Sequence, residues 1–223
     1  MASGDKDNVK DFLRDLRAVP KRPHGGPFTY RSCETAVLGW VCEEAYDKAM
    51  RGRFKPFWEL VSELLWSKLG ASDSGAYVTV DSQGTSAFDG GICATLHDLA
   101  RFGAMICKGG TSLTGVEVVK PEWVDGIFAG ASDSAQAFRD DPNYPELGML
   151  DGKFRNMFWS RAGDPDVVLC IGVYGQLVYI NRRTQVVGVK LSSWPKPKET
   201  AWNGTWKGSS AVKMFEAISA FLS

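Results

Sequence analysis

No run in this 223-residue sequence approaches the ~20 consecutive apolar residues of a membrane-spanning helix. Met1 to Asn8 likewise lacks the apolar stretch of a secretory leader. A soluble chain with no membrane partner is therefore expected. Histidine is nearly missing: His24 lies in a Pro/Gly loop and His97 at a helix start, so neither offers an imidazole for a Ser-His-Asp arrangement. Excess charge is missing too. Lys plus Arg and Asp plus Glu each number 26, so no net field draws the protein to nucleic acid. Cys33, Cys42, Cys93, Cys107 and Cys170 are odd in number and dispersed, without a CxxC pair. That pattern reads as reduced thiols in the cytoplasm rather than a disulfide frame or zinc site. With no Gly-rich phosphate loop either, no metal or organic cofactor is expected.

What is present is ordinary globular chemistry, 44% hydrophobic and 23% charged, with eight tryptophans able to fill a core or wall a cleft. The length slightly exceeds the roughly 100–200 residues of one domain, so one domain, or one plus a lobe, is expected. Val9, Phe12, Leu13 and Leu16 recur at helical spacing before a Pro/Gly loop, marking residues 1–27 as a helix and loop. The apolar sets Val37, Leu38, Trp40, Val41, Ala45 and Leu60, Val61, Leu64, Leu65 mark two further helices, the second stopped at Gly70. Thr95 to Asp98 reads as a helix cap before Leu99, Phe102, Met105 and Ile106. Beyond Pro121 the texture turns β-rich. Val167 to Ile171, Gln176 to Asn181 and Gln185 to Leu191 predict an antiparallel meander, and Ser210 to Leu222 an amphipathic closing helix. Residues from about 111 to 166 match no template.

Four segments carry a resemblance. Phe28-Thr29-Tyr30-Arg31-Ser32 runs into Val37-Leu38-Gly39-Trp40-Val41; Asp89-Gly90-Gly91-Ile92-Cys93-Ala94-Thr95 continues to Gly103. Gly172-Val173-Tyr174-Gly175-Gln176 and the strand from Val187 to Pro195 follow. Together they resemble the β-lactamase and penicillin-binding superfamily of serine hydrolases, in its esterase and 6-aminohexanoate-dimer hydrolase branch. The resemblance implies an α+β fold: part of the β-lactamase/transpeptidase-like architecture over 28–223, with a helical lobe over 35–110. Sheet strands and the C-terminal helix would occupy 167–223. It also implies acyl transfer from an ester or amide to water.

In such enzymes a Ser-x-x-Lys serine attacks the carbonyl and a tyrosine relays the proton. Tyr30 matches that tyrosine. A phenol near pKa 10 accepts a proton only where a cation favours its anion, which is the lysine's task. Ser32 stands where many relatives place Asn, in contact with the substrate amide. The strand segment would supply the oxyanion donor through the Gln176 N–H, with Gly175 allowing close approach and Tyr174 lining the substrate site.

The nucleophile is the gap. Ser3-x-x-Lys6 runs into polar residues and Ser193-x-x-Lys196 contains Pro195, which disfavours the helix that would align the pair. Ser210-x-x-Lys213 opens an apolar helix but matches the family's C-terminal helix. The nucleophile is thus unassigned, with Ser210 and Lys213 the remaining candidates. The chain alone is expected to be inactive, with self-association or a complementing fragment covering the missing part. The alternative is a non-catalytic binding or interaction protein on the same fold, holding a small ester or amide ligand.

Overall fold

A computed structural model describes residues 8–17, 26–72, 74–131, 133–140, 152–161, 163–198 and 208–223. His24 and the Ser3-x-x-Lys6 pattern lie outside them. The chain divides into two compact units, residues 1–24 with 30–95, and residues 25–29 with 96–223.

The first unit is mainly helical. Helix α1 (Val9–Asp15) starts at Asn8, whose side chain accepts the Asp11 N–H at 2.7 Å. This meets one of the helix's orphan donors. Val9 and Leu13 pack with Ala36 of α2 (Ser32–Ala49) and with Phe88. Gly39 lets that ring reach the helix, since a Cβ there would lie 2.2 Å from it. α2 buries Ala36, Gly39 and Glu43, while Val37, Leu38 and Val41 are exposed. After Arg51 and Gly52, both at positive φ, the chain turns into α3 (Phe57–Val61), a π-helical turn (Ser62–Trp66) and α4 (Ser67–Leu69). Gly70 ends this run in the left-handed conformation at φ 67°.

A short hairpin of β1 (Tyr77–Val78) and β2 (Ile92–Cys93) follows. Between its strands Asp81 fastens α1. Its carboxylate accepts the Val9, Gln83 and Thr85 N–H groups, each at 2.9 Å. Burial raises the acid's pKa, but these backbone bonds and the Thr85 hydroxyl outweigh it, so the net value falls below the ordinary 3.8. A depressed carboxylate contributes stability that is complete above its unfolded value and lost as pH falls through the folded one. Asp81→Ala is expected to cost about 1–2 kcal/mol at pH 7. The difference in denaturant midpoint between wild type and variant should shrink below about pH 4; a gap that stays constant to pH 2 would contradict this account.

The second unit is three-layered. Strands β3 (Lys153–Arg155), β4 (Phe158–Ser160), β5 (Val167–Ile171), β6 (Leu177–Asn181) and β7 (Val186–Lys190) form one antiparallel sheet in sequence order. The register pairs Leu169 with Tyr179 and Tyr179 with Gly188. Helix α5 (Leu96–Cys107) covers one face, with Gly103 closing on Val187 and Val178. Helix α8 (Gly208–Phe221) covers the other, its Phe215 ring lying over Gly188 and 5.8 Å from that of Tyr179. Alternation along the strands delivers Val167, Leu169, Leu177 and Tyr179 to the α8 side, where they meet Val212, Trp159 and Phe138. Fully burying each such side chain stabilises by about 1.5–3 kcal/mol.

The span without a template contains α6 (Pro121–Ala129), α7 (Ser134–Arg139), β3 and β4. Phe28 stacks on Phe138 at 4.7 Å and its N–H donates to Ala137 O, so residues 25–29 belong here. Among the described residues, no helix is long and apolar enough to cross a membrane.

Candidate active site

In the first unit, Tyr30 lies just before α2 and Ser32 is its first helical residue; both are exposed. Buried Phe88, under Gly39 and 5.3 Å from the Phe57 ring, fixes the turn that carries its neighbour Asp89. Partial burial, and then the Asp89 carboxylate, push the Tyr30 phenol above its ordinary 10.0. Both effects keep the proton on oxygen. In this setting Tyr30 is a hydrogen-bond donor, and acting as a base requires a cation brought to it.

In the second unit, Gly172 to Gln176 forms the turn between β5 and β6. Tyr174 occupies the left-handed region (φ 59°, ψ 21°), a conformation that costs a bulky residue about 1–2 kcal/mol. Two backbone bonds hold it there: its N–H donates to Pro197 O at 3.0 Å, and its carbonyl accepts from the Trp194 N–H at 3.1 Å. Gly175 is required twice over. Its φ is 87°, and a Cβ there would meet the Trp194 ring at 2.5 Å. The Gln176 side chain then clamps Ser192, accepting its N–H at 2.9 Å and donating to its carbonyl at 2.6 Å. Lys190 completes the clamp. Its Nζ donates to Gly175 O at 3.1 Å, contacts Ser192 Oγ, and sits 5.0 Å from the Trp194 ring centre.

Tyr174, Gly175 and Gln176 are thus one rigid turn, with Lys190, Ser192 and Trp194 as its support. Sequence reasoning gave those three no role, although Lys190 and Ser192 stand two apart on an extended chain and so share a face. Asp89, the first residue of the second resembling segment, was likewise given no role toward Tyr30. Ser210 and Lys213 lie on the exposed side of α8, and Ser193 and Lys196 are exposed in non-helical chain.

The first unit also holds a cavity of about 300 Å³ lined by Trp58, Trp66, Tyr77, Val61 and Ile92 among others. Ile92 of the second resembling segment lines it, whereas Tyr30, Ser32, Tyr174, Gly175, Gln176, Ser210 and Lys213 do not. Burial drives the Cys107 thiol up to about 11 and desolvation drives the half-buried Cys170 thiol up to about 12, so both are poor nucleophiles. Among the described residues no group of three or more His, Cys, Asp or Glu side chains has a metal-ligand arrangement.

Helices packed on an antiparallel sheet define an α+β architecture. The family model described as Beta-lactamase matches residues 1–206, and the chain belongs to that family. It is 35% identical over 205 residues to the 6-aminohexanoate-dimer hydrolase of Paenarthrobacter ureafaciens, covering 92% of this chain and 48% of that protein. Among solved structures, a 6-aminohexanoate-dimer hydrolase-like protein of Bacillus anthracis superposes with a TM-score of 0.74 at 23% identity. That match covers 96% of this chain and 48% of the other. A β-lactamase-like protein of Bacteroides dorei gives 0.66 at 22% identity, over 97% of this chain and 66% of that one. These likenesses establish the β-lactamase-like α+β fold. The chain spans about half the length of the curated relative it matches.

Proposed function

We propose that this chain is the part of a β-lactamase-family serine hydrolase that carries the proton relay and one oxyanion donor for acyl transfer from esters or amides. The attacking Ser-x-x-Lys group comes from a complementing polypeptide segment. The serine oxygen bonds to the carbonyl carbon, and its proton passes through Tyr30 to the departing alcohol or amine. The Gln176 N–H meets the charge that grows on the carbonyl oxygen. Water then displaces the serine and releases the acid. A linear amide of the kind in the relative's name, the 6-aminohexanoate dimer, is the first substrate to test.

The observation that carries this reading is the locked turn. Glycine beneath an indole ring, a strained tyrosine and a two-point amide clamp hold the Gln176 backbone in place before any ligand arrives, as electrostatic catalysis requires. The test combines the purified chain with the portion of the P. ureafaciens hydrolase outside the matched region. Hydrolysis of a nitrophenyl ester or of the 6-aminohexanoate dimer is expected in the mixture and not with the chain alone. Repeated turnover by the chain alone, lost on fluorophosphonate labelling of Ser210, would overturn the assignment.

A second reading is a binding protein without catalysis, since the charge that acts on the Tyr30 phenol is the Asp89 carboxylate rather than the cation a base would need. It predicts that the mixture binds a small carbonyl ligand without turnover.

A further inference from the structure

The cleft in the first unit is walled by three aromatic side chains, Trp58, Trp66 and Tyr77. The two indoles come from one helical run. At 3.6 residues per turn Trp66, eight residues after Trp58, would stand about 80° round the axis from it. The π-helical turn over Ser62–Trp66 rotates each residue through less than an α-turn does, which carries the second indole toward the face of the first. Turns of this kind recur at functional sites. Tyr77 of β1 and Ile92 of β2 stand opposite in sequence, and Val61 and Val78 fill the remaining wall. Trp58 and Tyr77 remain 44% and 65% exposed, so the cleft opens to solvent.

Its chemistry is selective. No Lys, Arg, Asp or Glu is among the residues that line it, so an ion would lose hydration there without meeting a counter-charge. The Tyr77 phenol is engaged, hydrogen-bonded to the side chain of Cys93, its partner across the hairpin. Ser67 Oγ is engaged as well, donating to Glu63 O at 2.9 Å. The Trp66 Nε1–H is not: it is buried and has no acceptor among the described residues. Buried donors in folded proteins are nearly always paired, so this indole marks where an acceptor belongs. The volume, about 300 Å³, is roughly twice the ~150 Å³ that suffices an apolar cavity for benzene. A ring with a short substituent fits that space.

We propose that this cleft binds a small neutral molecule made of an aromatic ring and a carbonyl group. The ring lies against Trp58 and Tyr77, and the carbonyl oxygen accepts the Trp66 indole N–H. Such a site, apolar walls with one placed polar group, fixes a ligand's orientation as well as its affinity. Neither Tyr30 nor Gln176 lines the cleft, so binding is measured on the chain by itself, whatever supplies the nucleophile.

The test is titration of the nitrogen-15-labelled 223-residue chain with acetophenone, followed on its eight indole N–H resonances. The Trp66 signal, identified by its loss in Trp66→Phe, is expected to move downfield and to saturate with a Kd of about 1 mM or tighter. Cumene, in which a CH–CH₃ unit replaces the carbonyl, should shift the Trp58 signal through its ring and leave that of Trp66 without the downfield move. In Trp66→Phe the preference for acetophenone over cumene should fall about 2–10-fold, the worth of one hydrogen bond, while any lost packing cancels from the ratio. Tyr77→Ala, at an exposed position, should weaken both probes and preserve the preference. Three results would overturn the proposal. One is a Trp66 N–H that is already shifted downfield and slow to exchange in the free chain and does not respond to acetophenone. Another is phenyltrimethylammonium binding more tightly than acetophenone, which would make the cleft a cage for cations. The third is an unchanged preference in Trp66→Phe; should that variant not fold, an acetophenone shift absent from Trp66 in the parent chain decides against it in the same way.

Discussion

Tyr30→Phe, introduced into the complemented chain, is expected to slow ester hydrolysis by about 10²–10⁴-fold, the range for removing a positioned proton-transfer group. The loss should fall on kcat more than on KM, because the phenol's proton matters in the transition state and little in substrate binding. Asp89 provides an internal control. Its carboxylate adds to the effect of burial in raising the Tyr30 pKa, so Asp89→Asn should lower that pKa and move any tyrosine-dependent limb of the pH–rate profile to lower pH. Ultraviolet titration of the chain alone checks the ground state. The Tyr30 phenolate should appear above the ordinary value of 10.0, and earlier in the Asp89→Asn variant. For a phenol raised on folding, the associated stability is complete below about pH 10 and is lost as pH climbs through the folded value. If Tyr30→Phe hydrolyses the ester at the parent rate, the proton takes another route and Tyr30 is a structural tyrosine.

Long regular elements were readable from residue patterns because periodicity needs only a few turns or one strand to declare itself. The meander of β5, β6 and β7 and the closing helix α8 fall where alternation and helical spacing place them. The span from 111 to 166 gave no signal because its described elements are three to nine residues long, too short for a period to build up. α2 shows a subtler limit. The residues that mark it as a helix, Val37, Leu38 and Val41, are exposed, while the side packed inward is Ala36, Gly39 and Glu43. Burial was decided there by the Phe88 ring, which needs a glycine beneath it, and by a carboxylate with two partners. The site divides in the same way. Tyr30, Tyr174, Gly175 and Gln176 were found through resemblance. Lys190, Ser192 and Trp194 act on the last three from 15 to 20 residues away, and only the β6–β7 register brings the two segments together. Asp89 influences Tyr30 across 59 positions of sequence, a relation no local pattern encodes.

Glu43 carries the largest stability prediction. It is 2% exposed in the middle of α2. One oxygen accepts the Phe57 N–H at 2.8 Å, meeting an orphan donor at the start of α3. The other lies 2.8 Å from Lys10 Nζ, off the hydrogen-bond direction, so charge rather than bond geometry holds that pair. Lys10 in turn lies within 6 Å of the Trp40 and Phe54 ring centres, at 5.6 and 5.7 Å. One buried carboxylate thereby joins α1, α2 and α3. Glu43→Ala leaves the Phe57 N–H without an acceptor, the Lys10 ammonium without its anion and a void beside α2, and is expected to cost about 3–5 kcal/mol. Glu43→Gln retains an acceptor for Phe57 but turns an amide donor toward Lys10, so it should recover only part of that loss. Lys10→Met should also destabilise, because it strands the buried carboxylate. The coupling measured in a Lys10→Met, Glu43→Gln cycle should therefore be favourable by more than about 1 kcal/mol. Exchange of amides in 9–15 and 57–61, followed in each variant, locates the effect: α1 and α3 should open together in Glu43→Ala while β5 and β6 keep their protection. If Glu43→Ala melted with the parent chain, or if the loss appeared first in the sheet, the carboxylate would not be the tie that joins these three helices.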